Sequence, residues 1–263
     1  MFRTTAAPLA VALTSLALLS APARAESSLV LPYPSVFGTI PASTYDAERH
    51  RVGAAHLVLE KRDNGHVRIF SESGIDGGPR TVATAELAPI EAGEGLRLLS
   101  QESRSFDAEG TPMGILRIDH TTATASCANP NGDIEAQIDL PERDRVANVP
   151  LNLLFLPLVS GDVDRVTFQV MTCRGGARLL DFEAHRARRG DRNAERLVEV
   201  RYGPSLGRVL SALAGTLLPK LSFWFDPNAR NAWVAHRVPL YTMGPEVLVV
   251  RDGVPANWLS GGR

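Results

Sequence analysis

Three side chains able to hold a metal or move a proton, Asp181, Glu183 and His185, alternate with Phe182 and Ala184. On a β-strand that period of two puts all three on one face, an arrangement usable for zinc ligation or acid–base catalysis. The wet face of any strand has the same pattern, and Arg186, Arg188, Arg189, Asp191 and Arg192 follow at once. The row therefore reads as a solvated rim, with a metal site as the alternative. Asp119-His120 and Asp226 with His236 combine carboxylate and imidazole, but no nucleophile sits in a recognisable setting beside them. The other histidines, His50, His56 and His66, are scattered near the start. The chain has no S-x-x-K, H-E-x-x-H or phosphate-binding loop. These residues predict no catalytic set, no metal and no cofactor. A hydrolase-like enzyme using Asp181, Glu183, His185 or Asp226 with His236 is the alternative, because sites assembled from distant residues leave no local signature.

Cys127 and Cys173 are the only cysteines. Without C-x-x-C spacing, and in an oxidising compartment, such a pair is most simply a structural disulfide.

Apolar residues concentrate between Pro204 and Val250. Within that stretch Leu206, Val209, Leu210, Leu213 and Leu217 recur at helical spacing, which predicts a helix over 205–218 capped by Ser205. Gly207 and Gly215 each weaken such a helix by about 1 kcal/mol relative to Ala, so it must dock its stripe to persist. Phe223, Phe225, Trp233 and Tyr241 can receive it. Two readings fit: a filled core plugged by the helix, or an apolar cavity that it covers. In the second, Leu206, Leu210, Leu213, Phe223, Phe225, Trp233 and Tyr241 form the ligand site. The partners this allows are an apolar small molecule or lipid, or an envelope protein.

The elements that would position these residues are mostly strands. Asn64-Gly65 joins the runs 54–61 and 66–72 and is a strong hairpin signal. Further turns at 76–78, 93–95, 109–110, 131–132, 161–162 and 175–176 separate candidate strands at 80–86, 96–103, 113–120, 133–140, 165–173 and 178–187. Three more follow at 221–226, 232–240 and 246–251. Ile134, Ala136, Ile138 and Leu140 alternate with polar residues, predicting one buried and one wet face. A second short helix is predicted over 148–159, with Asn148 as N-cap, Pro150 in its first turn and Pro157 ending it. The fold class is mainly β: an antiparallel curled sheet forming a barrel or β-roll, with one short helix and one capping helix near the C-terminal end.

Residues 1–25 have the form of a signal peptide, with Arg3, an apolar run over 6–19 and the cleavage motif Ala23-Arg24-Ala25. Its removal takes the 28 basic residues to 26 against 29 acidic, a net charge of −3. That balance lacks a basic footprint for nucleic acid. No second apolar run reaches spanning length, and the strands are too short and mixed for a lipid-facing barrel. The expected setting is the periplasm. Residues 26–52, with Pro32, Pro34 and Pro41, read as an extended lead-in over the surface, and 53–263 as a single β-barrel or roll domain.

Three segments resemble an exported bacterial family, domain of unknown function 3108: RVANVPLNLLFLPLVSGD (145–162), TFQVMTCRGGARLLDFEAH (167–185) and Trp224-Phe225-Asp226. The resemblance implies a curled antiparallel β architecture in the envelope and brings no catalytic residues. The long lead-in and the cysteine pair depart from it. The leading functional expectation is a non-enzymatic envelope protein that binds or carries an apolar ligand or envelope component; a structural or assembly partner is the alternative.

Overall fold

The computed structural model describes residues 29–90, 95–187, 197–205, 221–229, 232–241 and 244–254. The expected signal peptide and the 206–218 part of the expected capping helix, with Leu206, Leu210 and Leu213, lie outside the described residues.

Among the described residues fourteen strands form one antiparallel sheet: β1 Gly38–Tyr45, β2 Arg51–Lys61, β3 Val67–Gly74, β4 Arg80–Pro89, β5 Leu96–Phe106, β6 Pro112–Asp119, β7 Thr124–Ala128, β8 Ile134–Asp139, β9 Arg165–Thr172, β10 Arg178–Arg186, β11 Val198–Pro204, β12 Leu221–Phe225, β13 Trp233–Pro239 and β14 Glu246–Arg251. Each pairs with its sequence neighbour, except that β8 and β9 are the two edges and β1 pairs with β14. The result is a curled antiparallel sheet, as the turn spacing predicts. The sheet does not close by a continuous ladder.

The proposed lead-in is different from its expectation. Residues 38–45 are a central strand, between β2 and β14. Pro41 is tolerated because the β14 ladder has already ended beside it, at the Ala42–Arg251 pair. Its carbonyl still accepts the Asp252 N–H at 3.0 Å. The expectation for Ile134 also fails. A bulge at Cys127/Ala128 pairs Ile134 with Ala128 but Ala136 with Cys127, so Ile134 and Ala136 point to opposite faces. Ile134 lies 58% exposed on the edge strand.

The connection from β8 to β9 carries the helices. It holds a single 3₁₀ turn at Arg143–Arg145, then α1 Leu151–Leu154 and α2 Leu156–Ser160, with Phe155 between them. One helix over 148–159 was expected. Instead Pro150 precedes the first turn, Pro157 sits in the first turn of α2, and Gly161 ends α2 at φ 88°. Pro157 starts a helix because its missing N–H is one that an opening turn leaves free.

Asn148 does not cap α1. Its side-chain Nδ2 donates to the Met171 carbonyl and its Oδ1 accepts the Met171 N–H, both at 2.8 Å. With the Ala147 N–H donating to the Gln169 carbonyl at 2.8 Å, the segment satisfies the open edge of β9.

The two edges meet as an overlap. Phe168 and Phe182 face the main core, so Met171 and Leu179, an odd number of residues away, face out from it. There they pack, with Cys173 and Ala177, against Ile118, Ala125, Cys127 and Ile138 from the inner face of β6–β8. The sheet thus rolls up like a scroll whose outer lap is β6–β8. Cys127 and Cys173, with Cα atoms 5.5 Å apart, are joined by a disulfide across the lap.

A buried polar clasp fastens the same seam. Gln101 Oε1 accepts the N–H groups of Asn148 and Val149, each at 2.8 Å, and its Nε2 donates to the Val146 carbonyl at 3.1 Å. That amide orientation leaves Nε2 to donate to His120 Nε2 at 2.7 Å. His120 is therefore the Nδ1-protonated tautomer, and Nδ1 donates to the Arg143 carbonyl at 2.7 Å.

Candidate ligand-binding interior

An eight-stranded barrel is just filled by its own side chains, whereas a wider sheet encloses more volume than they occupy. Here α1 and α2 pack into that interior. Phe155 stands edge-on to Phe168 and Phe223, with ring centroids 5.9 and 5.4 Å away, and lies 5.3 Å from Tyr202. Tyr202 is also near Phe182 at 6.2 Å. Burial pushes the Tyr202 hydroxyl pKa well above its usual value. Among the described residues, α1–α2 fills this part of the interior.

Further round the wall, Phe223 stacks on Phe225 at 6.1 Å and on His236 at 5.0 Å, and His236 lies 5.5 Å from Trp233. Trp233 and His236 are three residues apart, a spacing that puts them on opposite faces of a regular strand. A bulge makes them neighbours: Phe225 pairs with Trp233 while Trp224 pairs with Ala235, leaving Val234 as the extra residue.

The two polar atoms brought inside in this way are unsatisfied. Among the described residues, Trp233 Nε1 and His236 Nδ1 are sealed from solvent and have no hydrogen-bond partner. Gln169 Oε1 is a third such atom, on the opposite face of β9 near the seam. An orphaned buried polar group destabilises a fold by about 1–3 kcal/mol, so each needs a reason. Burial lowers the His236 pKa from 6.5 to about 4; the ring keeps some exposed surface, but Nδ1 itself does not.

Toward the other end of the scroll the inner face changes character. Ser71, Ser73, Thr81, Ala83, Ser103 and Ser105 are cross-strand neighbours in line with buried Leu57 and Ala55, and they are only half-buried. Solvent therefore enters from this end. Thr81 Oγ1 donates to the Leu240 carbonyl at 2.7 Å, so the turn after β13 reaches over to β4. Tyr241, in that turn, packs against the core cluster.

Of the sequence-derived site residues, Phe223, Phe225 and Trp233 share the interior and Tyr241 borders it. Phe155, Tyr202 and His236 were not anticipated there. Among the described residues, the carboxylate–imidazole pairs singled out in the sequence have other partners. Asp226 Oδ1 accepts the Asn228 N–H at 2.9 Å and closes its own turn, while His236 Nδ1 has no partner. Asp119 is held below its usual pKa chiefly by the Thr121 hydroxyl and spans the 119–122 turn, and His120 belongs to the clasp. Asp181 and Glu183 lie on the outer face, accepting from Gln169 at 3.0 Å and Arg165 at 3.1 Å. Among the described residues, no group of three His, Cys, Asp or Glu is placed to hold a metal.

Burial lowers the pKa of both His120 and His236. Below pH 6.5 the unfolded chain then binds protons that the folded protein refuses, so stability falls as pH falls. Between pH 6.5 and about 4 His236 alone removes roughly 3 kcal/mol. Urea unfolding at pH 7 and pH 4.5 should show a lower midpoint in acid. An unchanged midpoint would mean that neither ring is buried neutral.

These features define a class, a curled antiparallel β-sheet rolled into a barrel-like scroll with an aromatic interior. No family model and no curated protein matches the chain, so the resemblance to domain of unknown function 3108 has no matching model behind it. Among solved structures the chain is similar to the "Beta-barrel-like Protein of Domain of Unknown Function DUF1849 from Brucella abortus". Identity is 8% and the TM-score 0.40, with 86% of this chain and 97% of that chain covered. At that score the likeness is coarse, and the fold rests on the strand ladder itself.

Proposed function

We propose that this is a non-enzymatic, exported envelope protein that holds an apolar ligand inside its rolled sheet. The observation that carries the reading is the pair of orphaned polar atoms, Trp233 Nε1 and His236 Nδ1, set among aromatic rings. A core built only for stability would replace them with apolar atoms; a binding site keeps them for a guest. The periplasmic setting is supported by the signal-like N-terminus and by the resemblance to the exported 3108 family. A disulfide is compatible with it, as is the lack, among the described residues, of a helix long and apolar enough to cross a membrane.

Native mass spectrometry of protein purified without detergent tests this directly. A bound mass lost on denaturation is expected. His236→Phe sharpens the test, because it removes an unpaired polar atom from an aromatic stack. The ligand-free variant should be as stable as the parent or up to about 2 kcal/mol more stable, and should retain less ligand. A destabilised variant with undiminished retention would make His236 a structural residue. The exposed edge of β8, with Ile134 at its start, favours a second reading as an assembly partner that accepts a strand. A bare polypeptide mass would turn attention there.

A further inference from the structure

We infer that the ligand meets Trp233 and His236 with a neutral hydrogen-bonding head group, a carbonyl, ester or hydroxyl on a long hydrocarbon, and not with a charged one. This rests on the binding reading above and specifies its ligand class.

The indole N–H of Trp233 can only donate, so its missing partner must be an acceptor. Trp233 is 4% exposed, which leaves water little access to supply one. Neutral His236 can donate or accept at Nδ1 according to tautomer, so it complements either a carbonyl or a hydroxyl. The surroundings decide against charge. Across the strands His236 lies between Phe223 and Val249, and Trp233 beside Phe225, all of them uncharged. A carboxylate or phosphate placed there would lose its hydration with no cation among these neighbours to replace it. A quaternary ammonium could lie on the aromatic faces, yet it would leave the indole N–H unpaired. A neutral acceptor satisfies the donor and suits the apolar wall together.

The geometry also accounts for why the pair is recessed. Trp233 opens β13 while the half-buried hydroxyl-lined inner face lies at the opposite end of β4 and β5. A hydrocarbon on a head group at Trp233 would have to pass Phe223 to reach that wetter end.

The test is calorimetric titration of the purified protein with hexadecanol, a palmitoyl monoglyceride, hexadecyl phosphate and hexadecyltrimethylammonium, each kept below aggregation. The two neutral probes should bind at least about tenfold tighter than either charged one. Trp233→Phe, which removes the donor and keeps a ring, should weaken the monoglyceride by roughly tenfold, the equivalent of one hydrogen bond. The order of the probes in the unsubstituted protein needs no variant, so it decides even where Trp233→Phe folds poorly. Charged probes that bind as tightly as neutral ones, or a folded Trp233→Phe protein with unchanged affinity, overturn the head-group inference and leave ligand binding standing. Failure of all four probes overturns the binding reading itself.

Discussion

Phe155→Ala should destabilise the protein by about 3–5 kcal/mol, because it empties the centre of the aromatic interior. Phe155 is fully buried and touches rings from three strands: Phe168 of β9, Tyr202 of β11 and Phe223 of β12. Each edge-to-face contact adds to the area that the side chain buries. The neighbours are strands fixed by their own ladders, so they cannot collapse into the vacancy, which puts the substitution at the severe end for a buried phenylalanine. A loss of that size lowers the melting temperature by roughly 6–20 °C in a domain of this length. Ile134→Ala, at an exposed edge position, should change stability by less than about 0.5 kcal/mol and serves as the control. Equal effects at the two positions would mean that α1–α2 does not occupy the interior. Chemical denaturation of both variants, read by circular dichroism, separates the outcomes.

The run NVPLNLLFLPLV shows how much of this was legible beforehand. Its apolar character on all sides marks a buried helical segment, since a surface helix keeps a polar face. What could not be read is where it is buried. That depends on the roll of a sheet whose first and last strands are far apart in sequence, and no local pattern encodes it. The hairpin at Asn64-Gly65 was legible for the opposite reason: its turn chemistry and both strands are contiguous.

The strands missed in the sequence share a cause. Pro41 argued against β1, yet one side of that residue lies beyond its neighbour's ladder. β7 has only five residues and follows directly on a Thr-rich turn, and β11 reads as Val-Glu-Val-Arg-Tyr beside a strongly charged stretch. Pairing partners override such weak local signals. The same holds at the site. Phe223, Phe225 and Trp233 face the interior, where large aromatic residues in a β protein belong. His236 enters the sequence reading only as a partner for Asp226, and regular alternation would put it on the opposite face from Trp233. One bulged residue, Val234, reverses that, and bulges leave no dependable trace in sequence.

Replacing Cys127 and Cys173 together by Ala should remove about 4 kcal/mol, the chain-entropy value for a link with a sequence separation of 46. The scroll geometry adds a local expectation to that global one. Without the disulfide, β6–β8 is held over β9–β10 by the small cluster around Ile118, Ala125, Val146 and Met171 and by the Gln101–Asn148 clasp. β8 is an edge strand with exposed side chains, so the lap should open from that side first. Hydrogen exchange in the doubly substituted protein should therefore speed up in β7, β8 and the 145–148 segment before it does so in β11–β14. A stability loss with unchanged exchange in the folded protein would place the whole effect in the unfolded chain. Stability within about 0.5 kcal/mol of the parent would show that the clasp and the apolar lap already hold the scroll shut. The expected pattern, a global loss led by the seam, would make the disulfide the fastening of a sheet that its own backbone ladder leaves open.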